Sequence, residues 1–153
     1  MTGGTRQMAE AAARGAAGEP EVRVSVLHAA DAGSTEVLVA DGYIFATPEN
    51  LGAMSGMMKN FFDRSYYGVL DRIAGRPYGV LICAGSDGEN AARQILRIVT
   101  GWRLKPIAEP IIVCTHAQTP EAILSPKVIG AHDLSRCEEL GATIAAGLML
   151  GIY

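Results

Sequence analysis

The chain has 153 residues, 49% hydrophobic and 19% charged, with a formal net charge of −3. That length buries a full core without metal or disulfide staples, so a single domain over residues 1–153 is expected. The mild acidity excludes the basic footprint of a nucleic-acid binder, and no apolar run reaches a membrane span or reads as a signal peptide. Neither nucleic acid nor membrane is therefore expected as a partner. Cys83, Cys114 and Cys137 are odd in number and far apart, with no metal-ligand spacing, and read as structural thiols of a reducing cytoplasm.

Residues 5–18 are alanine-rich and predict a helix with Met8, Ala12 and Ala16 on one face, ended by Gly18-Glu19-Pro20. Residues 21–27 alternate, with Val22, Val24 and Val26 on one side, and predict a strand near a sheet edge. A turn over 31–34 and a short helix or loop over 35–40 lead to a second strand at 43–47. Residues 48–53 are turn-rich, and helical spacing runs from Met54 to about Asp71, stopped by Gly75-Arg76-Pro77. Residues 78–83 form a continuous apolar run, the mark of a buried strand. A loop at 84–88 and a helix from Glu89 to about Trp102 follow, then a buried strand at 110–115. Residues 117–134, with Pro120, Pro126 and Gly130, predict a long irregular segment. The last helix is expected from Ser135, which makes a capping box with Glu138 and turns Leu140, Ile144 and Leu148 inward.

Strands alternating with helices imply a parallel sheet covered on both faces, and in such sheets ligands bind beyond the carboxyl ends of the strands. Three loops could serve. Thr2-Gly3-Gly4-Thr5 precedes the first helix; its glycines, free N–H groups and hydroxyls suit a phosphate, although a threonine-capped terminus has the same composition. In the second loop, from Thr47 to Ser55, Pro48 stiffens and Gly52 permits a sharp turn, so its backbone could edge a planar heterocycle; Ser55 could equally be a plain helix cap. The third, Gly85-Ser86-Asp87-Gly88, could cover the same ligand or simply cap the helix after it.

Taken together, Pro48-Glu49-x-x-Gly52-x-Met54-Ser55-Gly56-x-x-Lys59-x-Phe61-x-Asp63-Arg64 resembles the flavin loop and following helix of the flavodoxin-like NAD(P)H-dependent FMN reductases and their quinone reductase relatives. Thr2-Gly3-Gly4-Thr5 is similar to the flavodoxin phosphate loop. The resemblance implies an α/β, flavodoxin-like doubly wound parallel sheet of order 2-1-3-4-5 and bound FMN. It assigns the phosphate to Thr2, Gly3, Gly4 and Thr5, the isoalloxazine ring to Pro48, Glu49, Asn50, Leu51, Gly52, Ala53 and Met54, and a third contact to Gly85, Ser86 and Asp87. It also implies NAD(P)H as electron donor, a small-molecule electron acceptor, and self-association as a homodimer or homotetramer. No catalytic side chain and no metal are expected, because the cofactor does the chemistry.

The chain departs from that pattern in two places. Asn50-Leu51 replaces the usual Tyr-Asn, and neither ring loop holds an aromatic residue, which opens the ring site and favours a reductase over a pure carrier. The first, central strand is missing from this chain, since Met1 stands just inside the phosphate loop. Each buried backbone group orphaned by that gap costs about 1–3 kcal/mol. A start codon set too far downstream, with an apolar strand ahead of Met1, is the expected explanation; a shortened chain that has lost or swaps a strand is the other. The competing functions are a non-enzymatic electron carrier and a flavin-free interaction module. Among single residues, Lys59 and Asp63 are expected to pair along their helix, and Trp102 to lie in the core.

Overall fold

The computed structural model describes residues 2–153. In chain order its elements are α1 (Gly4–Ala16), α2 (Ser34–Val39), β1 (Tyr43–Asn50), β2 (Ala53–Met54), α3 (Gly56–Val69), β3 (Pro77–Ala84), α4 (Glu89–Gly101), β4 (Lys105–Pro106), β5 (Ile111–Cys114), α5 (Pro120–Leu124) and α6 (Ala131–Met149).

The sheet is built outward from β3, whose eight residues are all buried. A strand covered on both faces needs apolar side chains at successive positions, and Val80, Leu81, Ile82 and Cys83 supply them. β1 runs parallel on one side, with Tyr43 opposite Tyr78 and Pro48 opposite Cys83. β5 runs parallel on the other, with Leu81 opposite Ile111 and Ala84 opposite Cys114, while β4 pairs with the start of β3. One face carries α3 and α4 over a core in which Phe45, Phe61, Phe62 and Trp102 cluster with ring centroids 5.2–6.4 Å apart. The other face carries α1 and α6, whose Met8, Ala11, Cys137, Leu140 and Ile144 pack on Leu81, Cys83, Ile111 and Val113. These two helices touch backbone to backbone. A β-carbon on Gly15 would fall on the Glu138 carbonyl and one on Gly141 on the Ala12 carbonyl, so neither position has room for a side chain.

The α/β architecture, a mostly parallel sheet with helices on both faces, is as expected, as are Trp102 at 1% exposure and the Lys59–Asp63 pair at 2.5 Å. Arg64, the last residue of the family-like motif, ties α3 to the turn ahead of α2 by donating to the carbonyls of Ala29 (2.9 Å) and Ala32 (3.1 Å). The ambiguous stretch at 35–40 is helical, and α2 is closed by the Arg76 guanidinium, which donates to Leu38 O (2.9 Å) and Ala40 O (2.6 Å). Among the described residues no helix is long and apolar enough to cross a membrane.

Four expectations need correction. Residues 21–27 are not a strand: 22–28 adopt no regular structure, and 23–27 make no hydrogen bond among the described residues. Alternation makes a strand only where a neighbouring strand accepts its ladder, and among the described residues none pairs with this segment. The second strand does not stop at Thr47 but continues through Asn50 and doubles back as β2, so Met54 belongs to a strand and α3 begins at Gly56. The final helix starts at Ala131, capped by Gly130, and the Ser135 hydroxyl points instead to Glu139 Oε1 at 3.4 Å inside the helix. The segment 117–134 is less irregular than expected, because Thr119 caps α5 by accepting from Ala122 N–H at 3.2 Å.

Candidate functional site

β1, β3 and β5 all point their carboxyl ends the same way, and the three loops singled out in the sequence lie at that edge around Cys83. Pro48 stands beside Cys83 in register, Gly85 follows it by two residues, and a β-carbon on Gly4 would lie 2.5 Å from its sulfur. Only a residue without a side chain lets the first turn of α1 settle this closely on the strand end.

The second loop is a tight hairpin. Glu49 pairs with Met54 and Asn50 with Ala53, leaving Leu51 (φ 52°) and Gly52 (φ 71°) as the two turn residues. Two left-handed residues in sequence are what a two-residue hairpin demands. Gly52 meets this without strain, whereas Leu51 is held there by the ladder on both sides, its side chain fully exposed at the tip. The hairpin is fastened to α4 at two points one helical turn apart. Asn90 Nδ2 donates to Gly52 O at 2.6 Å, and Met54 N–H donates to Gln94 Oε1 at 3.0 Å. At its base the buried Thr47 hydroxyl oxygen accepts from Ser55 N–H at 3.1 Å, while Ser55 Oγ caps α3 by accepting from Met58 N–H at 3.2 Å. Ser55 is thus the helix cap that its position allowed, without displacing the hairpin from the site edge.

The third loop is fixed from both ends. His116 N–H donates to Gly85 O at 2.7 Å and Thr115 N–H to Ala84 O at 2.9 Å. Asp87 Oδ1 accepts from Glu89 N–H at 3.3 Å, and the cap position itself is Gly88. His116 is exposed, with φ 53°, and its side chain makes no hydrogen bond among the described residues.

At the phosphate-type loop, Gly3 is the N-cap of α1 with φ 85°, and no side chain caps it. The N–H groups of Gly4, Thr5 and Arg6 have no protein partner among the described residues; the first helical bond is Gln7 N–H to Gly3 O at 3.1 Å. Such orphan donors with the helix dipole behind them attract an anion. A clasp holds the loop in place. Gln7 donates through Nε2 to Lys127 O (2.7 Å) and accepts through Oε1 from Ile129 N–H (3.1 Å), while Lys127 N–H donates to Thr2 O (2.8 Å). The Lys127 ammonium closes α5, donating to the carbonyls of Ala122, Ile123 and Ser125. Gln7, Asn90, Gln94 and Lys127 are the positioning residues that motif reading missed. The spacing of Asn90 and Gln94 on one helix face was the signal available for two of them.

None of the thiols is activated. Burial pushes Cys83 up, opposed in part by nearby Thr5 and Lys127. Burial also raises Cys114, reinforced by Asp87, Glu49 and Glu89, and it pushes Cys137 up to about 11. Thiols pushed up in this way are weaker nucleophiles at neutral pH than a free cysteine. No metal-ligating cluster occurs among the described residues. The carboxylates that act on Cys114 make this end of the strand edge acidic.

Residues 29–119 match the family of NADPH-dependent FMN reductases. A flavodoxin of Aquifex aeolicus (strain VF5) is 39% identical over 108 residues, 66% of this chain. The match spans 56% of that relative's length. Among solved structures, a flavodoxin from the domain Archaea superposes with a TM-score of 0.78 at 21% identity, covering 97% of this chain and 93% of its own. The flavodoxin, WrbA-like protein from Agrobacterium tumefaciens superposes with a TM-score of 0.73 at 21% identity, covering 97% and 91%. The matched span runs from before β1 past the hairpin and the third loop to the start of α5, and on that match the chain belongs to the NADPH-dependent FMN reductase family, a flavodoxin-like flavoprotein group of oxidoreductases and electron carriers.

Proposed function

We propose that this chain is an FMN-dependent oxidoreductase that takes electrons from NAD(P)H and passes them to a quinone, a free flavin or a similar small acceptor. The observation that carries the reading is the meeting of three fixed loops around Cys83, one offering unpartnered helix N–H groups and two offering backbone edges. The residues present fit FMN. The orphan N–H groups of Gly4, Thr5 and Arg6 ask for an anion, and the hydroxyls of Thr2 and Thr5 add donors. With the Lys127 ammonium committed to α5, the phosphate would be held by dipoles and hydroxyls, not by an ion pair. The hairpin from Pro48 to Met54 would edge the ring, with Gly85, Ser86 and Asp87 as the third contact. Bound flavin would supply the hydride and electron transfer. The chain's part is to orient it and to leave one face open, which follows from two ring loops without an aromatic side chain.

An electron carrier without NAD(P)H activity is the second reading, favoured by the relative named flavodoxin. Anaerobic mixing of the FMN-loaded protein with NADH or NADPH separates the two. Rapid bleaching of the flavin near 450 nm, followed by recovery when a quinone is added, is the expected result; a flavin that stays oxidised gives the carrier instead. A colourless protein that takes up no added FMN removes both. Self-association as a homodimer or homotetramer belongs to the same proposal, with Met57 and Tyr67 of α3, 48% and 84% exposed, as the apolar side chains available for it.

A further inference from the structure

Leu51 breaks two rules at once. Its φ of 52° lies in the left-handed region, which suits glycine or asparagine and strains a leucine. Its side chain is fully exposed, so burial within its own chain does not offset that strain. An exposed leucine alone is ordinary, and so is a strained residue that packs. A leucine that is both strained and uncovered has no compensation inside this chain, and such outliers belong to functional sites. The hairpin does not need this side chain either. It is held by Asn90 on Gly52 O, by Gln94 on Met54 N–H and by the Glu49–Met54 pairing, all through groups other than Leu51. A rigid tip therefore holds an apolar side chain out into solvent, at a position where asparagine would serve the turn better.

The surroundings of the tip say what it can meet. A β-carbon on Gly52, beside it, or on Gly56, where α3 begins, would meet nothing within 4 Å, so both positions face open space. Met57, the next residue of α3, is 48% exposed and adds a second apolar side chain there. The fixed charge at this strand edge has one sign. Glu49, Asp87 and Glu89 all act on Cys114, and none of the three is in an ion pair among the described residues. Such an edge repels small anions. We propose that Leu51 is a specificity-determining residue, which gives an apolar, uncharged electron acceptor of the quinone type its contact at the rim of the site, in preference to a polar, anionic one. This rests on the FMN-dependent reading above and names which of its acceptors the rim favours. The turnover served is NAD(P)H, a proton and a quinone giving NAD(P)+ and the hydroquinone: the hydride brings two electrons and one proton, and the second proton comes from solvent. Leu51 supplies contact area to the acceptor and takes no part in the transfer itself.

The test compares the FMN-loaded protein with Leu51→Asn, which suits the turn, and Leu51→Met, which keeps an apolar side chain. The flavin is reduced photochemically, so NAD(P)H plays no part. Reoxidation is then followed anaerobically with menadione, an uncharged naphthoquinone, and with ferricyanide, an anion without apolar surface. The readout is the ratio of the two second-order rate constants, per bound flavin. The expected result is a ratio lower by at least about fivefold in Leu51→Asn and within about twofold of the native one in Leu51→Met. Thermal melting without acceptor is the second measurement: Leu51→Asn should raise the Tm by about 2–4 °C, since it relieves the strain. An unchanged ratio overturns the inference, and so does a ratio that falls equally in Leu51→Met. A Tm that does not rise overturns it as well, because the leucine is then covered in solution; a difference that grows with protein concentration would assign that cover to a second copy. A flavin that NAD(P)H cannot bleach, but that menadione reoxidises in the expected Leu51-dependent way, removes the donor half of the proposed function and supports this inference. A protein that takes up no FMN removes both.

Discussion

Residues 22–27 alternate apolar and polar side chains and residues 43–46 are a short apolar run; both read as strands in the sequence, yet only the second is one. Tyr43, Phe45 and Thr47 of the second segment are buried, and its backbone ladders to β3. Val22 and Val24 of the first are only half-buried, and Val26 is open to solvent. The difference does not lie in local preference, since valine is among the best strand formers. It lies in the neighbour. A ladder bond needs a second backbone, and the segment that lacks one keeps the sequence of a strand without its structure.

The sharpest break in the paired region is Leu81→Ala. Leu81 is fully buried on β3 between β1 and β5, so its loss leaves a cavity under both ladders, and a fall in stability of about 2–5 kcal/mol is expected in urea denaturation. A smaller effect is expected where the paired strand runs on into the hairpin. Gln94→Ala strips Met54 N–H of its partner, a change worth about 1–3 kcal/mol to the hairpin. Flavin affinity should weaken about tenfold with the circular dichroism unchanged; unaltered affinity by fluorescence titration would show that the hairpin does not edge the ring. The smallest effect belongs to Val26→Ser, within about 0.5 kcal/mol. A loss comparable to that of Leu81→Ala would show that residues 22–27 are paired in solution and would dissolve the contrast.

Most of the fold was legible in the sequence because it depends on periodicity. The unbroken apolar run at 78–83 could only be a buried strand, and the helical spacing after Met54 carried Phe61 and Phe62 into the core. The site edge was legible because Pro48, Gly52 and Met54-Ser55-Gly56 follow a family-like spacing. What stayed hidden was set by partners distant in sequence. Asn50-Leu51-Gly52 lacks the Asn-Gly pair that announces a two-residue turn, and the fastening by Asn90 and Gln94 forces the hairpin instead. Ser135 and Glu138 offered a local cap, but α6 begins four residues earlier, just after the Gln7 clasp has fixed Ile129.

The seam between Gly15 and Gly141 has a consequence for synthesis. α1 is made well before α6, and the contact that seats α1 needs both glycines at one crossing. Until α6 emerges, Met8, Ala11 and Ala12 have only part of their cover, while the strands of the paired half can already assemble on one another. α1 is thus among the last of the described elements to reach its final place, and during that interval its apolar face is exposed to a chaperone.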